Sequence, residues 1–90
     1  YKADKAFIGA GGVSIAHGLS SVDEKEASIT TKMAESADKV FLLCDYSKLE
    51  KDSYFTYSSL SLIDYLITNK GIDQQIIDLY LKNNINIITV

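Results

Sequence analysis

The chain contains no proline, tryptophan or arginine, and single copies of cysteine, histidine and methionine. One cysteine excludes an internal disulfide and, with one histidine, leaves no cysteine/histidine metal site; no metal is expected, and the cytoplasm is the natural compartment. Without arginine there is no bidentate fork for base edges or phosphates. Nine lysines against twelve acidic residues give a net charge of -3, a balance that argues against this segment gripping nucleic acid by itself. No apolar run is long enough to span a bilayer, and no basic region precedes an apolar run near Tyr1, so neither membrane contact nor a targeting signal is expected. Repeats, low-complexity runs and internal linkers are also missing from the sequence.

What remains is the composition of one ordinary globular domain: 90 residues, 47% hydrophobic and 23% charged. The start at Tyr1 and the stop at Val90, straight after "INIITV", read as ends cut from something longer. Four apolar runs stand out: "KAFIG" (5–9), "KVFLLC" (39–44), "DYLIT" (64–68) and "INIITV" (85–90). The second and fourth are nearly continuous, as suits parallel strands covered on both faces. Helical segments separate the first pair and the last pair, which is the grammar of βαβ units. Ser21 and Glu24 form a capping-box pattern that predicts the first helix start, and Val22, Glu26, Ile29, Met33 and Ala37 fall on one stripe at 100° per residue. That stripe is expected to face the core, with Glu26 set inside it. Asp73 is placed to cap a second helix running through Ile76, Tyr80 and Leu81 to Asn83 and Asn84, with Ile72 and Ile77 as a hydrophobic staple. Residues 45–63 read as a polar loop, a short edge strand around "YFTYS" and a helical turn at Ser59–Leu62.

The stretch "FIGAGGVS" (7–14) nearly spells the dinucleotide turn, but the third glycine position is Ser14, and Gly18 breaks the run before the helix begins. The acidic residue expected about 20 residues on to hold a ribose has only Asp45 as a distant candidate, so no dinucleotide cofactor is expected. Two readings stand side by side: a flexible βα loop, or a loop whose backbone N–H groups approach an anionic ligand.

Ligands of parallel sheets bind beyond the carboxyl ends of the strands. There stand Gly9, Gly11, Gly12 and Ser14, then Asp45 to Lys48, then Thr68 and Asn69. Glu26 can join them or reach solvent at the margin of its stripe; Lys48 is a candidate partner for it. Lys48 can bind an anion or sit solvated, as Lys51 is expected to. Asp45 can accept sugar hydroxyls or bond its own turn. His17 lacks a partner pattern and reads as an exposed loop residue. Cys44 reads as a small buried hydrophobe; Tyr54, Phe55 and Tyr57 can face a partner or a sugar ring, while packing in the core or between copies is the commoner use of such residues.

The segments "ADKAFIGAGGVS", "GLSSVDEKEASITTKMAESADKVFLLCDYSKL" and "IDYLITN", in that order, resemble the C-terminal sensor domain of DeoR-type bacterial transcriptional repressors. The resemblance covers nearly the whole chain. It implies a Rossmann-like α/β fold related to ribose-5-phosphate isomerase, with a mostly parallel sheet flanked by helices, and it makes residues 1–90 the later part of a sensor. It further implies a helix-turn-helix domain, absent here, through which DNA is bound, a sugar phosphate as effector, and a homo-oligomer. Carried over by position, Gly9, Gly11, Gly12, Glu26, Asp45 and Lys48 would line the effector crevice. The chain departs from the family pattern at Gly11, where Asp or Asn is common just before the second glycine. It departs again at Tyr46 for Ser, at Leu49-Glu50 for Phe-Gly, and at Asn69 for Asp.

Three functions follow. A non-catalytic sensor would shift its conformations or assembly on binding a sugar phosphate. A sugar-phosphate isomerase or deaminase fragment would use Asp45, Glu26 and Lys48 as base, acid and electrostatic stabiliser, although the acidic pair with adjacent histidine typical of such enzymes is missing. An assembly domain with a vestigial pocket would use the aromatic strand or the C-terminal strand to oligomerise.

Overall fold

The computed structural model describes residues 3–90. The four apolar runs form strands of one parallel sheet: β1 (Ala3–Ile8), β4 (Ala37–Leu43), β6 (Tyr65–Thr68) and β7 (Asn86–Thr89), in spatial order β1-β4-β6-β7. Two helices, α1 (Glu24–Glu35) and α2 (Gln74–Lys82), lie in the first and last crossovers. This is the α/β, Rossmann-like arrangement that the resemblance implies.

The glycine segment departs from a simple βα loop. Gly12–Ser14 (β2) and Gly18–Ser21 (β3) form an antiparallel hairpin, to which β5 (Phe55–Ser58) adds as a third strand. Gly18 takes φ +86°, and a Cβ there would lie 2.2 Å from the Ser58 carbonyl oxygen, so only glycine lets β5 approach. The helical turn expected after it is present as a 3-10 turn at Leu60–Leu62. The Phe55 side chain lies outside the described residues.

One face of the parallel sheet carries the core. Ile8, Leu42 and Leu66 lie in register across β1, β4 and β6 and join Val13 and Leu19 of the hairpin, Ala34 of α1 and Tyr80 of α2 in a single buried cluster. Both helices and the small sheet therefore sit on the same side. Asp64, just before β6, ties that strand to the middle of β4: its carboxylate accepts from the Val40 N–H at 2.7 Å and its own N–H donates to the Val40 carbonyl.

Two local expectations for α1 are corrected. Its N-cap is Asp23, whose carboxylate accepts from the Lys25 N–H at 2.9 Å, while Ser21 belongs to β3 and its hydroxyl accepts from the Asp23 N–H. Sheet pairing claims Ser21, so the helix begins one turn position later and the capping box does not form. The apolar stripe also faces outward: Val22, Ile29 and Met33 are 62%, 61% and 47% exposed, and Ala27 and Ala34 are the buried residues. Small side chains let the helix approach the strands closely, and close approach outweighed the larger side chains in setting its rotation. Ala37, counted on that stripe, is the first residue of β4. The second helix begins as expected at Asp73, which accepts from the Gln75 N–H at 2.9 Å.

Candidate functional site

A cavity of about 370 Å³ opens at the carboxyl ends of β1 and β4. The loop after β1 supplies Gly9 and Gly11, α1 supplies Glu26, and the turn after β4 supplies Asp45 and Lys48. Five of the six residues singled out in the sequence thus surround one space. Gly12 stands apart from it: a Cβ at that position would lie 2.4 Å from the Lys51 carbonyl oxygen and 2.8 Å from the Ser20 hydroxyl, which places Gly12 at a close backbone crossing inside the small sheet. Gly9 is open by contrast, with its nearest such contact at 3.9 Å.

The turn carrying Asp45 and Lys48 is built locally. Asp45 caps a 3-10 turn at Tyr46–Lys48, accepting from the Ser47 hydroxyl and the Ser47 N–H. Those bonds, the hydroxyl foremost, together with Asn69 and the Lys48 charge, hold the carboxyl below the ordinary aspartate value against a smaller opposing effect of burial. Asp45 is therefore both a turn-forming residue and a fixed negative charge at the cavity rim. Lys48 forms no ion pair among the described residues, with Glu26 or any other carboxylate. Its ammonium is available to a ligand. Asn69 joins the turn to the end of β6 by accepting from the Tyr46 N–H at 2.9 Å. Thr68 and Asn69 line a neighbouring concavity of about 350 Å³ that shares Leu43, Cys44 and Asp45 with the first, so the crevice runs along the strand ends. Burial, assisted by the Asp45 charge, pushes the Cys44 thiol up to about 11.

A groove of about 420 Å³ between α1 and β5, lined by Thr31, Lys32 and Tyr57, is larger. It lies on the helix flank rather than at the strand ends, where the α/β fold converges backbone and polar groups. Among the described residues no cluster of three metal-ligating side chains is present.

Sequence reasoning missed the group that anchors this turn from behind. Glu50 holds φ +58°. Its carboxylate accepts from the Tyr80 hydroxyl at 2.8 Å and from the Ile15 N–H at 2.9 Å, while the Lys51 N–H donates to the Val13 carbonyl at 3.2 Å. Burial and the Glu50 contact raise the Tyr80 phenol well above the ordinary tyrosine value. The signal was the departure from Phe-Gly at Leu49-Glu50: a glycine there marks a left-handed position. His17, read as partnerless, places Nδ1 2.9 Å from Asp52, which also accepts from the Ser14 hydroxyl at 3.0 Å. Residues 35 and 38 positions apart meet there, and no local pattern announces such a pairing.

The sequence matches the profile of the family described as "DeoR C terminal sensor domain" over residues 1–70. The chain belongs to this DeoR sensor family. It is 36% identical over 88 residues to the HTH-type transcriptional repressor GlcR of Bacillus subtilis, covering 98% of this chain and 34% of that protein. It is 33% identical over 75 residues to the HTH-type transcriptional regulator IolR of the same organism, covering 83% and 30%. Identity to the HTH-type transcriptional regulator GlpR of Haloferax volcanii is 37% over 70 residues, covering 78% and 28%. The DeoR-type sensor described here thus spans about a third of the length of the curated relatives it matches. It is a sensor domain of the kind found in transcriptional regulators, and no helix among its described residues is long and apolar enough to cross a membrane.

Proposed function

We propose that this DeoR sensor segment binds a phosphorylated sugar at the strand ends and, without catalysing a reaction, alters DNA binding by a helix-turn-helix domain of a longer regulator. One observation carries the reading: Gly9, Gly11, Glu26, Asp45 and Lys48, far apart in sequence, surround one cavity at the position where parallel α/β sheets receive ligands. Lys48 offers to a phosphate an ammonium that forms no ion pair among the described residues, and the open backbone at Gly9 allows the ligand to approach the main chain. Asp45 and Glu26 are acceptors suited to sugar hydroxyls. The names of the relatives, repressors and regulators, support regulation over turnover. The catalytic alternative lacks a proton-transfer histidine at the cavity, since His17 is committed to Asp52 elsewhere.

The test is a thermal-shift titration of the intact regulator with a panel of pentose and hexose phosphates, run beside Lys48→Ala. A ligand at a hundredfold its Kd stabilises by about 2.7 kcal/mol, and the expected outcome is a raised melting temperature that Lys48→Ala abolishes. A shift that persists in Lys48→Ala moves the anion site away from this turn. Absence of any shift across the panel removes the effector reading.

A further inference from the structure

The amide of Asn69 is locked in one orientation. Its Oδ1 accepts from the Tyr46 N–H at 2.9 Å and from the hydroxyl of the buried Thr68 at 3.3 Å. A flipped amide would set its NH2 against a backbone N–H that cannot accept. Tyr46 is held in turn: its ring lies against Gly71, where the backbone takes φ +103° and a Cβ would meet Cε2 at 3.3 Å. The Asn69 NH2 is thereby left on the Asp45 side, where it helps to hold that carboxyl ionised. Asp45 is oriented as well. Both bonds from Ser47 fall on Oδ2, which leaves Oδ1 as the oxygen open to a ligand. A carboxylate acceptor and an amide donor thus stand together on a concavity that Leu43, Ile67 and Val90 otherwise make apolar.

Such a pair has a definite complement. An acceptor beside a donor matches two adjacent oxygens of which one donates and one accepts, as in a vicinal diol or a hydroxyl beside a carbonyl. An ammonium in place of the second oxygen offers only donors and leaves the Asn69 NH2 unpaired. The crevice also has a direction. Lys48 lines the cavity on one side of Asp45 and Asn69 the concavity on the other, with Asp45 common to both. A phosphate on Lys48 therefore sends the sugar toward Asn69, and the oxygens that arrive there are those most remote from the phosphate.

We infer that Asp45 and Asn69 together read the oxygens on carbons 1 and 2 of a sugar phosphorylated at its far end, Asp45 Oδ1 accepting from one hydroxyl and Asn69 Nδ2 donating to the other oxygen. Asn69 is the specificity-determining residue of the crevice: it selects a 5- or 6-phosphate with both oxygens in place over its 2-deoxy and 2-amino analogues. This inference rests on the crevice binding a sugar phosphate.

Isothermal titration of the intact regulator tests it, with Asn69→Ala and Asn69→Asp run alongside. The probes are ribose 5-phosphate, 2-deoxyribose 5-phosphate, glucose 6-phosphate, 2-deoxyglucose 6-phosphate and glucosamine 6-phosphate. Asn69→Asp keeps the oxygen that Tyr46 and Thr68 bond and changes only the donor, so the turn is retained. In the parent, loss of the carbon-2 oxygen is expected to raise Kd about tenfold, and Asn69→Ala should shrink that ratio to within about twofold. Asn69→Asp should move the balance between glucose 6-phosphate and glucosamine 6-phosphate about tenfold toward the amino sugar, the shared phosphate cancelling in the comparison. Sugar phosphates that bind with the 2-deoxy ratio unchanged in Asn69→Ala overturn the inference and leave the sugar-phosphate reading standing. So do 2-deoxy analogues that bind the parent as tightly as their counterparts. Binding of none of the five removes that reading and this inference with it.

Discussion

Glu50 shows how one residue can fix the chain just after the Asp45–Lys48 turn. A left-handed backbone costs a non-glycine residue about 1–2 kcal/mol, and here the cost is offset by bonds from the Tyr80 hydroxyl and the Ile15 N–H. Glu50→Ala keeps the strain and loses both bonds; a loss of about 2 kcal/mol is expected in urea unfolding. Glu50→Gly relieves the strain as it loses them, so its loss should be nearer 1 kcal/mol. Equal losses in the two variants would show that the backbone at this position is unstrained. Cys44 offers a second residue-scale test. Its thiol is raised from 9.0 to about 11, so the folded state prefers the protonated form. Folding is therefore unaffected by this group below pH 9 and loses stability as pH climbs from 9.0 through about 11. The melting temperature should fall over that window, less steeply in Cys44→Ala, and alkylation by iodoacetamide at pH 8 should be far slower than for free cysteine.

At the scale of elements, α1 and the hairpin make opposite demands on nearby residues. Asp23 caps the helix, and Asp23→Ala should cost about 1 kcal/mol, whereas Glu24→Ala should cost little because no capping box exists to be broken. The glycine segment separates in the same way. Gly12→Ala drives a methyl group into the Lys51 carbonyl, and a loss of about 2–3 kcal/mol is expected. Gly9→Ala meets only ordinary contact and should unfold within about 0.5 kcal/mol of the parent, while weakening any phosphorylated ligand of the crevice. Circular-dichroism melts of the two variants, read beside the ligand titration, distinguish a glycine needed by the fold from one that clears space for a ligand.

At the scale of the whole molecule the one-sided sheet dominates. Its core face is closed, and its aromatic face, where Phe7, Phe41 and Tyr65 stack with Phe7 55% exposed, is left uncovered by the described residues. Phe41→Ala therefore discriminates between environments: beneath a packed layer the substitution should cost about 3–5 kcal/mol, and on an uncovered surface about 1 kcal/mol. Chemical denaturation of the intact protein and its Phe41→Ala variant reads that difference directly.

Much of this was legible in the sequence, because the relevant signals are local or ordered along the chain. The four apolar runs became the four parallel strands, Asp73 capped its helix, and the ordered segments from "ADKAFIG" to "IDYLITN" carried the DeoR resemblance. The crevice residues were visible because strand ends in a parallel sheet converge whatever the details of packing. Tertiary structure decided what competition between partners decides. Ser21 served a strand rather than a helix cap, α1 turned its alanines inward and its larger side chains outward, and β5 crossed the chain to complete a sheet with the hairpin. Glu50 met Tyr80 across 30 residues and His17 met Asp52 across 35. Sequence periodicity records which faces are apolar, but only the packed chain selects which of two apolar faces is buried, since that choice rests on how closely backbones can approach.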